Sequence, residues 1–489
     1  MLTITRLHGQ TPRTNWRTNW RESGAPNSAI TLRMKRREFL AFAGASACLG
    51  AAARLAAQLP AADAKADVTL RIAPVEVEIA PGRVIKTTGY NGSAPGPVLR
   101  FAEGKRVTVE VFNGTSTPEF VHWHGLFVPS EVDGAMEEGT PAVPPHGSRR
   151  YSFVPQPAGT RWYHSHGFAG RDMKRATYTG QYGVLYVEPK DEPGNYDAEV
   201  FLALHGWDPY LSTMGEDEGA LEVVYKSFSV NSRALGHGEP IRVKPGQRVI
   251  FRIVNASATL QHRIALAGHR FTVLSLDGNR VPTPREVSVL ELGPAERVDA
   301  MVTMNQPGAW ILGELDDKTR DAGLGIVVEY ANSSGAPQWV APTEKPWNYT
   351  SFGRGEGAVC GDCVSGETQT VPLVFRHKFA GNHWVDNWTI NGKSFPKTDP
   401  ISVHAGQRYR LVFDNQSDEA HPVHLHRHSF ELVKFAAKPT SGVVKDVVVV
   451  PPRTQVEADF LANNPGPTLF HCHQQLHMDF GFMTLIQYA

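Results

Sequence analysis

The pattern that most limits how this chain folds occurs three times. Gly104-Lys105-Arg106, Gly246-Gln247-Arg248 and Gly406-Gln407-Arg408 each lead into an asparagine, Asn113, Asn255 or Asn415, nine residues after the glycine. The residues between alternate or run apolar (VTVEVF, VIFRIV, YRLVFD), as a turn feeding a half-buried strand should. Each copy follows another strand-like segment (PVLRF, PIRVK, PISVH), and helical periodicity is scarce. Forty-five glycines and thirty-five prolines supply frequent turns, so short strands in Greek-key β-sandwiches are the expected architecture. The length of 489 residues agrees with about three domains. We place the sandwiches at 67–190, 195–335 and 369–489, with 336–368 as a link rich in Pro, Gly, Ser and Trp.

Histidines then distinguish the outer copies from the middle one. His122 and His124 lie in HWHG, His164 and His166 in HSH, His421, His424 and His426 in HPVHLH, and His471, Cys472, His473 and His477 in HCHxxxH. Ten of twenty histidines therefore fall in four tight clusters, all in the first and third copies. The middle copy holds only the isolated His262 and His269, which leaves it mainly a spacer. A single HCHxxxH run would suit zinc as well as copper, but one zinc ion needs only about four ligands. Ten imidazoles and a thiolate imply several metals, and thiolate with imidazole favours copper. On a strand, the outer members of an HxH triplet share a face while the middle residue points the other way. His471-Cys472-His473 can thereby join two metal sites.

In order and spacing, the four clusters resemble the copper signature of the multicopper oxidases, the family of laccases and bacterial copper oxidases, from about residue 67 to the C-terminus. The resemblance implies an all-β chain of three consecutive cupredoxin-like Greek-key domains holding four coppers. It implies a type 1 copper on His421, Cys472 and His477, and a type 2 copper on His122 and His424. One type 3 copper then matches His124, His164 and His473, and the other His166, His426 and His471. Substrate electrons would enter at type 1 and pass through Cys472 to His471 and His473, where dioxygen becomes water. Phe482 stands at the axial position ten residues after Cys472, with Met483 beside it; a phenyl ring cannot ligate, so a raised potential is implied. Asp133 matches the family's proton-relaying acid, an ordinary Asp-Gly turn being the plain alternative. Met478 replaces the glutamate of many bacterial relatives, leaving Asp479 as the neighbouring carboxylate.

Residues 1–66 read as an extension and an export signal. Met34 is the expected start, and Arg36-Arg37 with Phe39-Leu40 ahead of an Ala/Gly-rich run looks like a twin-arginine signal, which implies that export machinery as a partner and a periplasmic destination. Forty-nine basic residues balance forty-nine acidic ones, so no nucleic-acid partner is expected. Cys360 and Cys363, in CGDC, suit a small disulfide loop or a further metal site. Glu216-Asp217-Glu218 reads as a solvated acidic loop or the border of a substrate pocket.

The leading functional expectation is a laccase-like oxidase taking electrons from phenols or other electron-rich small molecules and giving them to O2. The alternatives are a cuprous oxidase serving copper tolerance, disfavoured by only nine methionines and no Met-rich run, and a copper-free scaffold of the same fold, disfavoured by the intact clusters. A copper nitrite reductase does not need the eight-histidine set.

Overall fold

The computed structural model describes residues 65–191, 195–212, 222–333, 335–343, 347–354, 368–378 and 387–489. The signal segment, Glu216-Asp217-Glu218 and the Cys360/Cys363 pair lie outside these described residues. No helix among them is long and apolar enough to cross a membrane.

Among the described residues, six sheets pair into three β-sandwiches, one for each copy of the repeat. In the third domain, the six-stranded sheet runs in the order Asn387–Ile390, Gln369–Lys378, Arg408–Asn415, Gln455–Leu461, Phe430–Phe435, Lys438–Lys445. Its five-stranded partner runs Ile401–Val403, Met483–Tyr488, Thr468–Cys472, His421–Leu425, Val447–Val450. The second domain repeats both orders strand for strand. The first keeps the first four strands of each order and lacks the outer hairpin and the final edge strand.

The repeated strand alternates buried and less buried positions throughout in the third domain and over its second half in the first, is buried almost throughout in the second, and in each case pairs in parallel with the first strand of its own domain. The repeated glycines sit at φ +76, +80 and +81°, the left-handed region that closes the preceding turn without a Cβ penalty. The repeated asparagines close a corner. Asn113 Nδ2 donates to the Thr117 carbonyl at 2.7 Å, Asn255 Nδ2 to that of Leu260 at 2.8 Å, and Asn415 Nδ2 to that of Glu419 at 2.7 Å. Each Oδ1 accepts the backbone N–H two residues on, at 2.9, 3.0 and 3.0 Å. Buried backbone groups must find partners, and here the asparagine side chain supplies them to the loop leading into the next strand. In the outer domains, that next strand carries the HWHG or HPVHLH histidines.

The link between the second and third domains is anchored by aromatics. Trp347, Tyr349 and Phe352 are buried, and the Tyr349 hydroxyl donates to Glu296 Oε1 at 2.7 Å.

Candidate metal centre

One sheet of the third domain builds two sites, one on each face. Strand His421–Leu425 lies against Thr468–Cys472 with Val423 opposite Cys472 and His424 opposite His471. Directly opposed residues share a face and the period is two, so His421 and Cys472 turn into the sandwich core while His424 and His471 turn outward. The first domain offers the complementary surface. Strand Val121–His124 lies beside Gly159–Ser165 with His122 opposite His164, which puts His122, His124 and His164 on one face.

Inside the sandwich, Cys472 Sγ is 3.8 Å from His421 Nδ1 and 3.6 Å from His477 Nδ1, and the two Nδ1 atoms are 3.2 Å apart. His477 reaches this point from the short helix Gln475–Asp479. The loop closed by Asn415 fixes both outer nitrogens. Ser417 Oγ, whose proton goes to Asn415 Oδ1 at 2.8 Å, accepts from His421 Nε2 at 2.7 Å, and Glu419 Oε2 accepts from His477 Nε2 at 3.2 Å. Both Nδ1 atoms are then lone pairs aimed at one point beside the sulfur. Burial pushes the Cys472 thiol up, so it stays protonated unless a cation replaces the proton.

Between the first and third domains lie the other eight histidines, all buried. In six of the eight rings one nitrogen is held by a hydrogen bond to the surrounding protein. His122 Nδ1 donates to the Asp133 carbonyl at 2.9 Å, His164 Nδ1 to that of Ser165 at 2.9 Å, His424 Nδ1 to that of Asp446 at 2.8 Å, and His471 Nδ1 to that of Cys472 at 2.8 Å. His426 Nδ1 donates to Asp133 Oδ2 at 2.8 Å and His124 Nε2 to Asp446 Oδ1 at 3.0 Å. A ring that donates from one nitrogen presents a lone pair at the other. His426 Nε2 and His471 Nε2 nevertheless face each other at 3.0 Å, and His164 Nε2 faces His124 Nδ1 at 3.4 Å. The Nε2 atoms of His122, His166 and His424, and both nitrogens of His473, are buried without a hydrogen-bond partner among the described residues.

Protonation does not rescue this arrangement. Burial, reinforced by neighbouring imidazoles, holds His124, His164, His424, His426, His471 and His473 well below the ordinary histidine range, and brings His166 to about 3. Neutral rings with opposed lone pairs repel unless cations sit between them, and unpaired buried acceptors are costly. The residues therefore fit metal, and the outward N–H bonds to carbonyls and carboxylates are the partners that orient metal-binding imidazoles.

The remaining sequence candidates take definite places. Asp133 bridges the two domains: its carboxylate accepts from His426 and lies 3.1 Å from His122 Nδ1. Phe482 is fully buried with its ring centroid 4.8 Å from that of His421 and 6.0 Å from that of Trp388. Met483 turns the other way, into a cluster with Ala135, Leu469 and Met478. Asp479 accepts from the Ala169 and Gly170 amides at 3.1 and 2.7 Å, and burial pushes it up to about 6.

The second domain copies one corner without a metal set. Ser257 Oγ lies 2.8 Å from His262 Nε2, as Ser417 does beside His421, but His262 Nδ1 is taken by Glu314 Oε2 at 3.1 Å. His269 is likewise satisfied by the Ala267 carbonyl and the Tyr330 hydroxyl. Yet this domain is more than a spacer, because Arg297 pairs with Asp446. Sequence reading missed Asp446, Glu419, Ser417 and Trp162, whose ring stacks on His164 at 4.1 Å. Only the charged Lys445-Asp446 step before an apolar run hinted at one of them.

Family models described as multicopper oxidase match residues 71–192, 213–325 and 368–489. The chain is 33% identical over 454 residues to the multicopper oxidase MmcO of Mycobacterium tuberculosis, an alignment spanning 86% of each protein. It is 26% identical over 476 residues to laccase-2 of Fomitopsis schrenkii, covering 83% of this chain and 88% of that one. Among solved structures it is similar to the multi-copper oxidase from Pseudomonas thermotolerans, with TM-score 0.67 and 26% identity over 87% of this chain and all of the other.

Proposed function

This chain belongs to the multicopper oxidase family, copper-dependent oxidoreductases that use O2, and from that premise we propose a laccase-like oxidase of phenols and related electron-rich compounds. The observation that carries the reading is a thiol between two inward-facing Nδ1 atoms, on the same tripeptide as two histidines of the eight-histidine cluster. Bound copper supplies the one-electron chemistry that side chains lack, while the protein supplies the holding and the orientation.

We assign a type 1 copper to His421, Cys472 and His477, a type 2 copper to His122 and His424, and two type 3 coppers to His124, His164, His473 and to His166, His426, His471, four in all. Cys472 joins the two sites through its own flanking peptides to His471 and His473. Asp133 holds the tautomers of His122 and His426, and we assign to its carboxylate the passing of protons to the cluster. Glu419 marks the outward edge of the thiol site, since it is exposed and contacts the outer nitrogen of His477. A cleft of about 170 Å³ opens beside it, lined by Thr259, Gln261, Pro294 and Gln474 among others. Residues 1–66 direct export to the periplasm through the twin-arginine machinery.

The test is oxygen uptake by copper-loaded protein with a phenol, a non-phenolic dye and Cu(I) side by side. The phenol is expected to turn over fastest; Cu(I) outpacing both organic donors would move the reading to a cuprous oxidase. A second outcome concerns the axial position. Phe482→Met should bring a weak thioether toward the thiol site, stabilise Cu(II) and lower its potential by tens of millivolts, at about 59 mV per tenfold for one electron. Redox titration reads this, and a shift produced instead by Met483→Leu would reassign the axial position.

A further inference from the structure

Arg297 is fully buried in the second domain, and its guanidinium forks onto Asp446 of the third, with Nη1 2.7 Å from Oδ1 and Nη2 2.6 Å from Oδ2. Its remaining donors go to the carbonyls of Ala295, Asp277 and, in the first domain, Thr160. Asp446 in turn touches two cluster histidines by two different groups. Its carboxylate accepts from His124 Nε2, and its backbone carbonyl accepts from His424 Nδ1. These two bonds decide which nitrogen of each ring keeps a lone pair for the cluster.

Two further observations indicate that the pair is built for this position. The first is charge: Arg161, Arg297 and Lys445 face Asp277, Glu296 and Asp446 in one buried network, three cations against three anions. A bidentate Arg–carboxylate pair balanced in this way can stay ionised away from water. The second is space. Gly125, directly after His124 and at φ +83°, passes so close that a Cβ there would lie 2.7 Å from Arg297 Nη2 and 2.8 Å from Asp446 Oδ2. The glycine of HWHG thus makes room for an ion pair supplied by the other two domains.

We propose that Arg297 is a positioning residue of the eight-histidine cluster, acting through Asp446 to fix the tautomer and orientation of His124 and His424. The inference rests on the copper reading above, and it makes the second domain part of the centre that the other two enclose.

The experiment compares wild type with Arg297→Met, Arg297→Lys, Asp446→Asn and Gly125→Ala, each loaded with copper. Three signals are read: the blue type 1 absorption, the type 2 electron-spin resonance signal, and resistance of the bound copper to a chelator. Arg297→Met and Asp446→Asn should keep the blue band per chain while cluster copper is held about 10- to 100-fold more weakly, the usual cost of losing an outer partner of a metal ligand. Arg297→Lys, with its charge but without the fork, should fall between. Gly125→Ala displaces the same pair without changing any charge, so it should give the same pattern even if Arg297→Met does not fold. Wild-type chelator resistance and type 2 signal in Arg297→Met would overturn the proposal, as would loss of the blue band in step with the cluster signals. A wild type that is not blue would instead fail the copper reading itself, before any variant is compared.

Discussion

Cys472→Ser should give a colourless protein whose phenol-driven oxygen uptake falls more than about 100-fold, beyond the cost of losing an outer-shell partner. Cys472 is the sole cysteine among the described residues and is fully buried, with His421 and His477 Nδ1 within 3.8 Å of its sulfur. A serine hydroxyl fills nearly the same space and supplies no soft anionic donor, so the fold should survive while the thiolate-to-copper absorption vanishes. Visible spectroscopy on copper-loaded protein reads the result. Retention of the blue band in Cys472→Ser, or a colourless copper-loaded wild type with its thiol intact, would remove Cys472 from the type 1 site.

The second large effect separates the two faces of the third domain's sheet. Replacing His164 by Ala should stop oxygen turnover while leaving the blue site formed and still reducible by substrate. His164 belongs to the first domain, its Nε2 faces His124 Nδ1 at 3.4 Å, and its ring stacks on Trp162 rather than touching Cys472. His473→Ala should behave alike, since its ring lies 5.1 Å from those of both His124 and His164. Anaerobic mixing with a phenol would bleach the blue band once, and air would not restore it. Wild-type oxygen turnover in either variant would show that the residue is not needed in the cluster.

What the sequence made legible was whatever rests on local spacing. The Gly/Asn repeat reports a turn, a strand and a corner within about ten residues, and the histidine triplets report which side chains share a face by alternation alone. That the second and third domains have matching strand orders, while the first lacks an outer hairpin, left no such mark. Neither did the contacts that bind the domains around the metal centre. Arg297 meets Asp446 across 149 residues of sequence, and Asp133 meets His426 across 293, distances over which periodicity carries no information. Glu419 stands in a polar loop like many others, and only the fold brings it against His477. The middle domain read as a spacer because its own histidines are unclustered, yet its contribution to the centre is an arginine.

The central claim is that this chain couples one-electron oxidations at the thiol site to complete reduction of dioxygen at the histidine cluster. The most direct measurement is the ratio of phenol electrons consumed to O2 consumed by the copper-loaded enzyme, with peroxide assayed in the same vessel. Four electrons per O2 and no peroxide are expected, whereas two electrons per O2 with peroxide accumulating would contradict the claim.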